Sequence, residues 1–329
     1  LRTRRQRQMC IRDRYKDILT DYLENALSTG VTKNGLERAL LNINDLPGIS
    51  AVSTIEPGVQ EGSSKIILNV VEDDLINGSI TLDNHGNRYT AKQRSTVKLN
   101  VNNPLKIGDK LSITKTFNTG QKFDFSQFDY EVPLGQSGLK AFASASRLEF
   151  EIGKELKTDP VSLGNADTYE VGIKYPIQRT NNQSVFLKTS IEKKEIYNET
   201  TGLLTNDKTL ENVKIGLDFE GKNIFQDSSL SGVSVSGIFG DLDLSKVNSD
   251  YLNDQRNTGP KTHGDFNKVV LDFYHIHKFT EKINFKYYGS LQHASKNLDS
   301  SEKFSLGGVS GIRAYPSGEA SGDEGHKLS

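Results

Sequence analysis

The chain has 329 residues, of which 34% are hydrophobic, with one Cys, one Met, no Trp and a formal net charge of -1. No apolar run approaches the ~18 residues that a membrane-spanning helix needs, which excludes a helical membrane protein. A single thiol likewise excludes a disulfide scaffold and a cysteine-ligated metal site.

The first 14 residues, LRTRRQRQMCIRDR, contain the single Cys and the single Met among several arginines. Such a basic start can be a nucleic-acid arm or the beginning of a signal peptide. Neither fits, because no apolar stretch follows and no aromatic residue lies between the arginines. We therefore predict that residues 1–14 are a disordered or foreign leader, and we expect no nucleic-acid partner.

From Tyr15 onwards the apolar residues recur with helical spacing, and Gly30 is placed as a stop signal. Thr32 can cap a second helix, which ends before a turn at 45–48. Two strand-like runs follow that turn. The segment 15–74 is therefore predicted to be a small α+β domain with the order helix, helix, strand, strand.

The run LERALLNINDLPGISAVSTIEPG, from Leu36 to Gly58, resembles the membrane-proximal polypeptide-transport-associated (POTRA) domain of two-partner secretion transporters, the haemolysin secretion/activation family. In that family the domain lies in the periplasm and begins with a strand. The resemblance implies that this strand should precede Tyr15, where the leader lies, so that the domain is truncated. It also implies a site for the secreted partner. The candidate contacts are Leu36, Leu40, Leu46, Pro47 and Gly48.

After residue 74 the spacing changes to strict alternation, as in Val213, Ile215 and Leu217, which are separated by polar or charged residues. About eleven segments share this pattern. They lie near 79–84, 94–102, 110–117, 123–132, 138–150, 167–176, 184–194, 210–220, 229–240, 266–276 and 282–292. Most have the roughly 9–11 residues that a tilted strand needs to cross a membrane.

Alternation alone does not distinguish a soluble sandwich from a membrane barrel, because both have one apolar face and one hydrated face. The connections favour the barrel. Those after even-numbered strands are compact, whereas 151–166, 197–209 and 240–265 are long and polar. Short turns at one end and long loops at the other are typical of an outer-membrane barrel with a hydrated lumen.

A glycine-rich segment at 304–325 predicts a structured loop after the eleventh strand. It resembles the sixth extracellular loop of the same transporters and of the wider barrel-assembly superfamily, whose tip carries Val/Ile-Arg-Gly-Tyr/Phe. Here Ala stands in the third position of that tetrad. The resemblance implies that Arg313 pairs with an acidic residue beyond Ser329 and holds the channel in a defined state, with Tyr315 beside it. The loop-motif residues are Gly311, Ile312, Arg313, Ala314, Tyr315, Pro316, Gly318 and Glu319.

His275 and His277 flank Ile276 on one strand face, a spacing that two metal ligands can use. They continue the parity of Val269 and Phe273 at a strand end, which favours a membrane interface over a metal site. The sequence has neither a Gly-x-Ser-x-Gly pattern nor a phosphate-binding loop. We therefore expect no metal, no cofactor and no enzymatic activity.

The sequence thus predicts a mostly β chain, in which residues 75–329 supply about eleven of the roughly sixteen strands that the resemblance implies for a transmembrane antiparallel barrel. The same resemblance implies an outer-membrane transporter, in contact with lipid, that exports a partner exoprotein of haemolysin or adhesin type by type V secretion. One alternative is a factor that inserts other barrels into the membrane. Another is a passive porin or an outer-membrane enzyme. We expect the chain to be an internal part of a longer transporter.

Overall fold

A computed structural model describes residues 8–10, 15–28, 32–59, 64–118, 120, 122–308, 311–312, 314–317 and 320–329. Two bodies of secondary structure follow each other along the chain. The first is a small α+β domain with a three-stranded sheet, and the second is a twelve-stranded antiparallel sheet. In the part of the chain listed above, no helix is both long and apolar enough to cross a membrane.

The small domain packs two helices on its sheet. Its elements are β1 (Gln8–Cys10), α1 (Lys16–Ser28), α2 (Lys33–Asn44), β2 (Ile49–Pro57) and β3 (Ser64–Glu72). The strand order is β1-β3-β2, with β1 parallel and β2 antiparallel to β3. The Thr32 hydroxyl accepts a hydrogen bond from the Gly35 amide at 3.1 Å, which is the predicted N-cap of α2. The predicted stop at Gly30 lies outside the described residues.

Strand β1 lies inside the predicted leader. Its three residues pair with Ile67, Leu68 and Asn69 of β3. The prediction of a disordered or foreign leader does not require this pairing, which is possible because β3 offers an open edge of backbone N–H and C=O groups that three residues of almost any sequence can pair with. The strand position expected before Tyr15 is thus occupied. Residues 1–7 and 11–14 of the leader lie outside the described part.

The core of the small domain lies between the helices and one face of the sheet. The side chains of α1 that face the sheet, Leu19 among them, meet Ile43 of α2 and Leu68 of β3. Burying each such side chain contributes about 1.5–3 kcal/mol. Because a domain of this size can bury only a few side chains, each of them matters to its stability. The buried set is Tyr15, Leu19, Tyr22, Leu23, Leu36, Ile43, Leu46, Ile49, Ala51 and Leu68.

The large sheet is an up-and-down meander, since neighbouring strands in the sequence are neighbours in the sheet. Its first eleven strands are β4 (Ile76–Asp83), β5 (Arg94–Asn102), β6 (Lys110–Phe117), β7 (Phe123–Pro133), β8 (Lys140–Glu151), β9 (Leu163–Arg179), β10 (Gln183–Thr200), β11 (Leu203–Lys222), β12 (Ser229–Asp243), β13 (Gly264–Lys278) and β14 (Asn284–Ala294). These confirm the eleven predicted strands. A helix, α3 (Asn248–Gln255), interrupts the predicted long connection after β12.

The end of the chain differs from the prediction. A short ribbon joins β15 (Phe304–Ser305) to β16 (Ser321–Gly322), and β17 (Gly325–Leu328) then pairs with Gly289–Gln292 of β14. The glycine-rich loop therefore ends before Gly325, and a twelfth strand begins there. Four residues are too few to give an alternating pattern that sequence analysis can detect.

The long loop predicted at 197–209 is wrong. Strands β10 and β11 continue through it as a ladder and are joined only by Thr201 and Gly202, both with positive φ. A two-residue turn of this conformation suits the twist of a hairpin. The polar composition of the segment suggested a loop, but strands that extend beyond a membrane need no apolar face.

The two faces of the large sheet have opposite character. On one face the side chains are apolar and point away from the protein, as for Leu217, which is 48% exposed. The other face carries charged residues such as Lys214 and Asp218 on the alternate positions. An exposed apolar face this extensive matches the lipid-facing side of a barrel wall.

The channel loop and its anchor on the polar face

The segment after β14 contacts the polar face of the large sheet. The carboxylate of Glu302 contacts Lys194 on β10 and Lys268 on β13 at the same time. Those strands are three positions apart, or about 14 Å at the usual strand spacing. Both lysine side chains extend from the polar face to the same carboxylate, so the segment after β14 lies against that face.

Among the described acidic residues of this segment, Glu302 has the least exposed side chain. Its side chain is 4% exposed and lies 2.5 Å from the Lys194 Nζ and 2.7 Å from the Lys268 Nζ. Its backbone carbonyl accepts further hydrogen bonds from Lys268 at 2.9 Å and from the Gln292 amide at 3.1 Å. Burial alone would raise the pKa of Glu302, but the charges of Lys194 and Lys268 outweigh it and hold the pKa below its usual 4.5.

Asp299 makes a second contact of the same kind one turn earlier. Its Oδ2 lies 2.5 Å from the Nζ of Lys208 on β11, and the side chains of Lys208 and Asp299 are 5% and 10% exposed. Ser301 donates from its amide and its hydroxyl to the other oxygen. Burial would raise the pKa of Asp299, but Lys208 overcomes it and the pKa lies below its usual 3.8. Four residues of the loop thus hold two carboxylates in the wall, a group we call the anchor (Asp299–Glu302).

The wall around the anchor carries its own ionic network. Glu192 on β10 lies 3.2 Å from Lys194 and 2.5 Å from Lys214 of β11. The Asn212 amide donates to Glu192 at 3.0 Å. The contact with Glu192 is made within the sheet and does not involve the loop. It orients the Lys194 side chain, so Lys194 is a preformed partner for Glu302.

An apolar cluster lies next to the anchor on the same face. Leu298, one residue before Asp299, is 1% exposed and packs among side chains of β11 to β14. The connection that contains α3 covers this cluster through Tyr251. It is held in shape by Asp254, whose carboxylate accepts hydrogen bonds from the Thr262 amide and hydroxyl at 2.8 and 2.7 Å. The buried members are Leu210, Leu242, Leu244, Phe266, Ala294 and Leu298.

The predicted loop motif forms a tight reversal. The Ile312 amide donates to the Leu306 carbonyl at 2.8 Å, and the Gly308 amide donates to the Tyr315 carbonyl at 2.9 Å. A Cβ on Gly311 would lie 2.3 Å from the Leu306 carbonyl oxygen, so glycine is required there. Ala314 and Pro316 belong to the same described turn.

Arg313, Gly318 and Glu319 lie outside the described residues, and the role predicted for Arg313 stays a prediction. The tip of the loop reaches the connection between β4 and β5, where Asn87 donates to the Ser317 carbonyl at 3.2 Å. The side chain of Tyr315 is exposed.

The five residues singled out for partner binding lie at the interior of the small domain or against the large sheet. Leu36 and Leu46 belong to the buried core, and Leu40 packs against it. The Pro47 carbonyl accepts a hydrogen bond from the Tyr15 hydroxyl, and a Cβ on Gly48 would meet the side chain of Asn102. In this conformation they build the domain and its contact with the sheet, so their role towards a partner stays a prediction.

The small domain is fixed to the compact turns of the large sheet. Asp45, at the end of α2, receives a bidentate contact from Arg179 at 2.7 and 3.0 Å. Lys140 donates to the Asp45 carbonyl at 2.8 Å, and Arg38 donates to the Pro176 carbonyl at 3.0 Å. The turn that carries the Leu46-Pro47-Gly48 sequence therefore marks the junction of the two bodies.

His275 and His277 lie on the apolar face near the compact turns. His275 shares a hydrogen bond of 2.9 Å with the Ser231 hydroxyl, and the two imidazole rings stack with centroids 6.4 Å apart. Tyr287 stacks on the other side of His275. Aromatic side chains at this height are typical of the lipid–water interface. Over the residues that the structure describes, no group of three or more His, Cys, Asp or Glu is arranged to hold a metal ion.

Residues 62–329 match the model of a family described as haemolysin secretion/activation protein ShlB/FhaC/HecB. The chain is similar to the heme/hemopexin transporter protein HuxB of Haemophilus influenzae (strain 86-028NP), with 26% identity over 299 residues, 91% of this chain and 52% of that protein. It is also similar to the outer membrane transporter CdiB of Dickeya dadantii (strain 3937), with 24% identity over 304 residues, 88% of this chain and 51% of that protein. The chain spans about half the length of these curated relatives.

Two solved structures share the fold. CdiB from Escherichia coli superimposes with a TM-score of 0.81 at 18% identity, covering 99% of this chain and 60% of that chain. BamA from Haemophilus ducreyi, in a form lacking POTRA domains 1-3, gives a TM-score of 0.56 at 12% identity, covering 96% of this chain and 60% of that chain. Both combine POTRA domains with a β-barrel, which confirms the predicted fold class.

Proposed function

The chain belongs to the haemolysin secretion/activation protein family ShlB/FhaC/HecB, and on that premise we propose that it is the wall and docking domain of an outer-membrane transporter that exports a partner exoprotein. The observation that carries the proposal is a glycine-rich loop held on the polar face of a sheet whose other face is apolar. A wall of this kind separates lipid from a hydrated path.

The comparisons favour export over the alternatives from sequence. The family is one of transporters, and the fold agrees better with CdiB, at a TM-score of 0.81, than with BamA, at 0.56. The HuxB name describes what that protein carries, and we transfer only the class of activity. We propose that the exported partner is a polypeptide and that it passes along the wall in extended form.

Recognition would begin at the small domain, which we place in the periplasm. In its described sheet β2 is an edge strand, and Val52 and Ile55 on it are exposed. An extended segment can add to such an edge through main-chain hydrogen bonds, with apolar side chains giving selectivity. The Asp45–Arg179 contact keeps this edge close to the compact turns, so a captured segment would lie beside the lower end of the wall.

Conduction would follow the polar face. A cleft on that face is lined by both charged and aromatic side chains, among them Lys174, Asp218 and Tyr274. Such a surface offers hydrogen bonds and flat contacts to a passing chain without a deep site that would trap it. The loop occupies this path in the structure, and it would have to move before a chain could pass. No nucleotide hydrolysis is part of the proposal.

The test is deletion of the gene in its host, followed by comparison of the secreted and outer-membrane protein fractions. We expect one large exoprotein to disappear from the medium while the other barrel proteins stay at their normal level. A general loss of barrel proteins would favour assembly instead, and unchanged fractions would contradict both functions.

Complementation can locate the recognition step. The Val52→Lys variant places a charge on the β2 edge and should lower secretion severalfold. The Val59→Lys variant is the matched control, because Val59 is also exposed but lies after the strand. Equal secretion by the two variants would contradict capture at β2.

A further inference from the structure

The anchor is buried although the loop around it is not. Ser301 and Ser305 are exposed, whereas Glu302 between them is 4% exposed. The backbone dips towards the wall at this point and places Leu298, Asp299 and Glu302 into it. A segment with no contact to the wall would leave its carboxylates in water, where solvation is most favourable.

The wall depends on the loop for its charge balance. Among the described residues, Asp299 is the carboxylate within ion-pair distance of Lys208, and Glu302 is the one within that distance of Lys268. If the loop left, Lys208 and Lys268, whose side chains are 5% and 8% exposed, would lose these carboxylate partners. Charges of this kind cost much more to leave unpaired than exposed ones.

Both arms of the loop converge on the anchor. The returning arm contributes Asp323, whose carboxylate accepts a hydrogen bond from the Leu298 amide at 2.8 Å. The Asp323 carbonyl and the Glu302 carbonyl accept from the same Gln292 side chain, at 2.9 and 3.1 Å. The β15–β16 ribbon joins the arms just above. Fixing Glu302 therefore fixes the base from which the loop tip projects.

From these observations we propose that Glu302 is a positioning residue for the channel loop, which holds the loop against the wall through Lys194 and Lys268. Release of the loop requires this contact to break. The hold acts at the base of the loop and is separate from any contact made by the Arg313 tip. The inference goes beyond the proposed export, since it concerns how the path is kept closed.

The experiment measures how often the anchor lifts. Ala294 on β14 belongs to the same apolar cluster as Leu298 and is 7% exposed. We would introduce Ala294→Cys together with Cys10→Ser in the full-length protein of the host, purify it in detergent, and follow labelling by a maleimide. Slow labelling is expected in this background, and fast labelling would overturn the proposal at once.

Glu302→Gln keeps the size of the side chain and removes its charge. We expect it to raise the labelling rate by about tenfold to a hundredfold, because it leaves Lys268 without a carboxylate partner and Lys194 with Glu192 alone. Glu324→Gln is the matched control: Glu324 lies in the same loop, and its carboxylate, 55% exposed, pairs with exposed His293. It should label at the background rate. A folded Glu302→Gln variant that labels at the background rate, or an equal rise in the control, would overturn the proposal.

Rescue separates positioning from general loss of stability. Adding Lys268→Gln to Glu302→Gln removes one uncompensated charge and should lower the labelling rate severalfold. If the two substitutions destabilised the protein independently, the double variant would label faster than Glu302→Gln alone, and that result would overturn the proposal. If Glu302→Gln fails to show the heat-modifiable migration of a folded barrel, Asp299→Asn is used in its place. We expect a smaller rise of the labelling rate, and an unchanged rate would overturn the proposal. The measurement needs no exoprotein, so its failure and a failure of export are distinguishable.

Discussion

The small domain and the large sheet place the same kinds of residue in opposite ways. In the small domain Leu19 is 0% exposed and the charges are outside, whereas in the sheet Leu217 is 48% exposed and Lys268 is 8% exposed. Both arrangements obey one rule, that apolar groups avoid water and buried charges need partners. The difference is what the proposed function requires, with water around the first body and lipid against the apolar face of the second.

We expect the largest difference between the two bodies when the same Leu→Ala substitution is made in each of them. Leu19→Ala in the small domain should cost about 3–5 kcal/mol, because it leaves a cavity in a small core. Leu217→Ala on the sheet should cost under ~1 kcal/mol, since no packed side chains surround it. Hydrogen exchange of the α2 amides measures the first, and heat-modifiable migration of the barrel measures the second. Equal losses would mean that the outer face of the sheet is packed against protein.

The next effect comes from a charge on each face of the sheet. Leu217→Arg should cost about 2–4 kcal/mol in a bilayer, because it places an ion in hydrocarbon. Ser290→Arg is the control, since Ser290 lines the cleft on the polar face and pairs in register with Asp272. It should fold as well as the unchanged protein. The measurement is the refolding yield of each variant into lipid vesicles. A lower yield for Ser290→Arg than for Leu217→Arg would mean that the face we assign to the lumen is the one that contacts lipid.

A third, smaller effect sharpens the comparison at the junction. Asp45 and Arg179 are 29% and 18% exposed, so Asp45→Asn should weaken docking by only about 1 kcal/mol, less than the same kind of change at Glu302. Hydrogen exchange in the compact turn at 134–138 reports the docking. Glu56→Gln, which breaks an exposed contact with Lys65 elsewhere in the domain, should leave that turn unchanged. A loss at Asp45 as large as at Glu302 would mean that the junction is also dry.

The smallest effect is the response to pH. Because the pKa values of Glu302 and Asp299 are lowered in the folded state, their contribution is complete above their usual values of 4.5 and 3.8 and is lost only as the pH falls through the lowered values. Exchange of the Leu298 amide, corrected for its intrinsic rate, should be flat from neutral pH down to about 5 and should rise at more acidic pH. In Glu302→Gln the acid response should be reduced. A rise near neutral pH would mean that another group controls the anchor.

Much of the fold could be predicted from the sequence, because alternation is a local pattern. The strand around Leu217 repeats over about ten residues, so its period is visible without any knowledge of its neighbours. The failures have local causes too. Met9 belongs to a strand of three residues, and His326 to one of four, and neither is long enough to show a period. Around Thr201 the pattern of a strand changes, since strand residues outside lipid are free to be polar.

The anchor could not be predicted, because its contacts are not local. Glu302 and Lys194 are 108 positions apart, and Lys208 and Asp299 are 91 apart. The available signal was that Lys208 and Lys268, both on the polar face, have no acidic residue two positions away on the same strand. That signal indicates that a counter-charge must come from elsewhere, and it does not say from where. The motif tip drew attention because of a resemblance, whereas the anchor required the structure.

The hairpin of β10 and β11 has a mechanical consequence. These strands have 18 and 20 residues, although about 9–11 suffice to cross a membrane. The excess is hydrogen-bonded to the turn at Thr201–Gly202, so it is stiff along its whole length. Lys194 and Lys208 both lie in this upper part, about 20 Å from the turn at the usual rise per residue. A sideways force on the tip of this stiff hairpin is therefore transmitted to Lys194 and Lys208, which contact Glu302 and Asp299 of the loop.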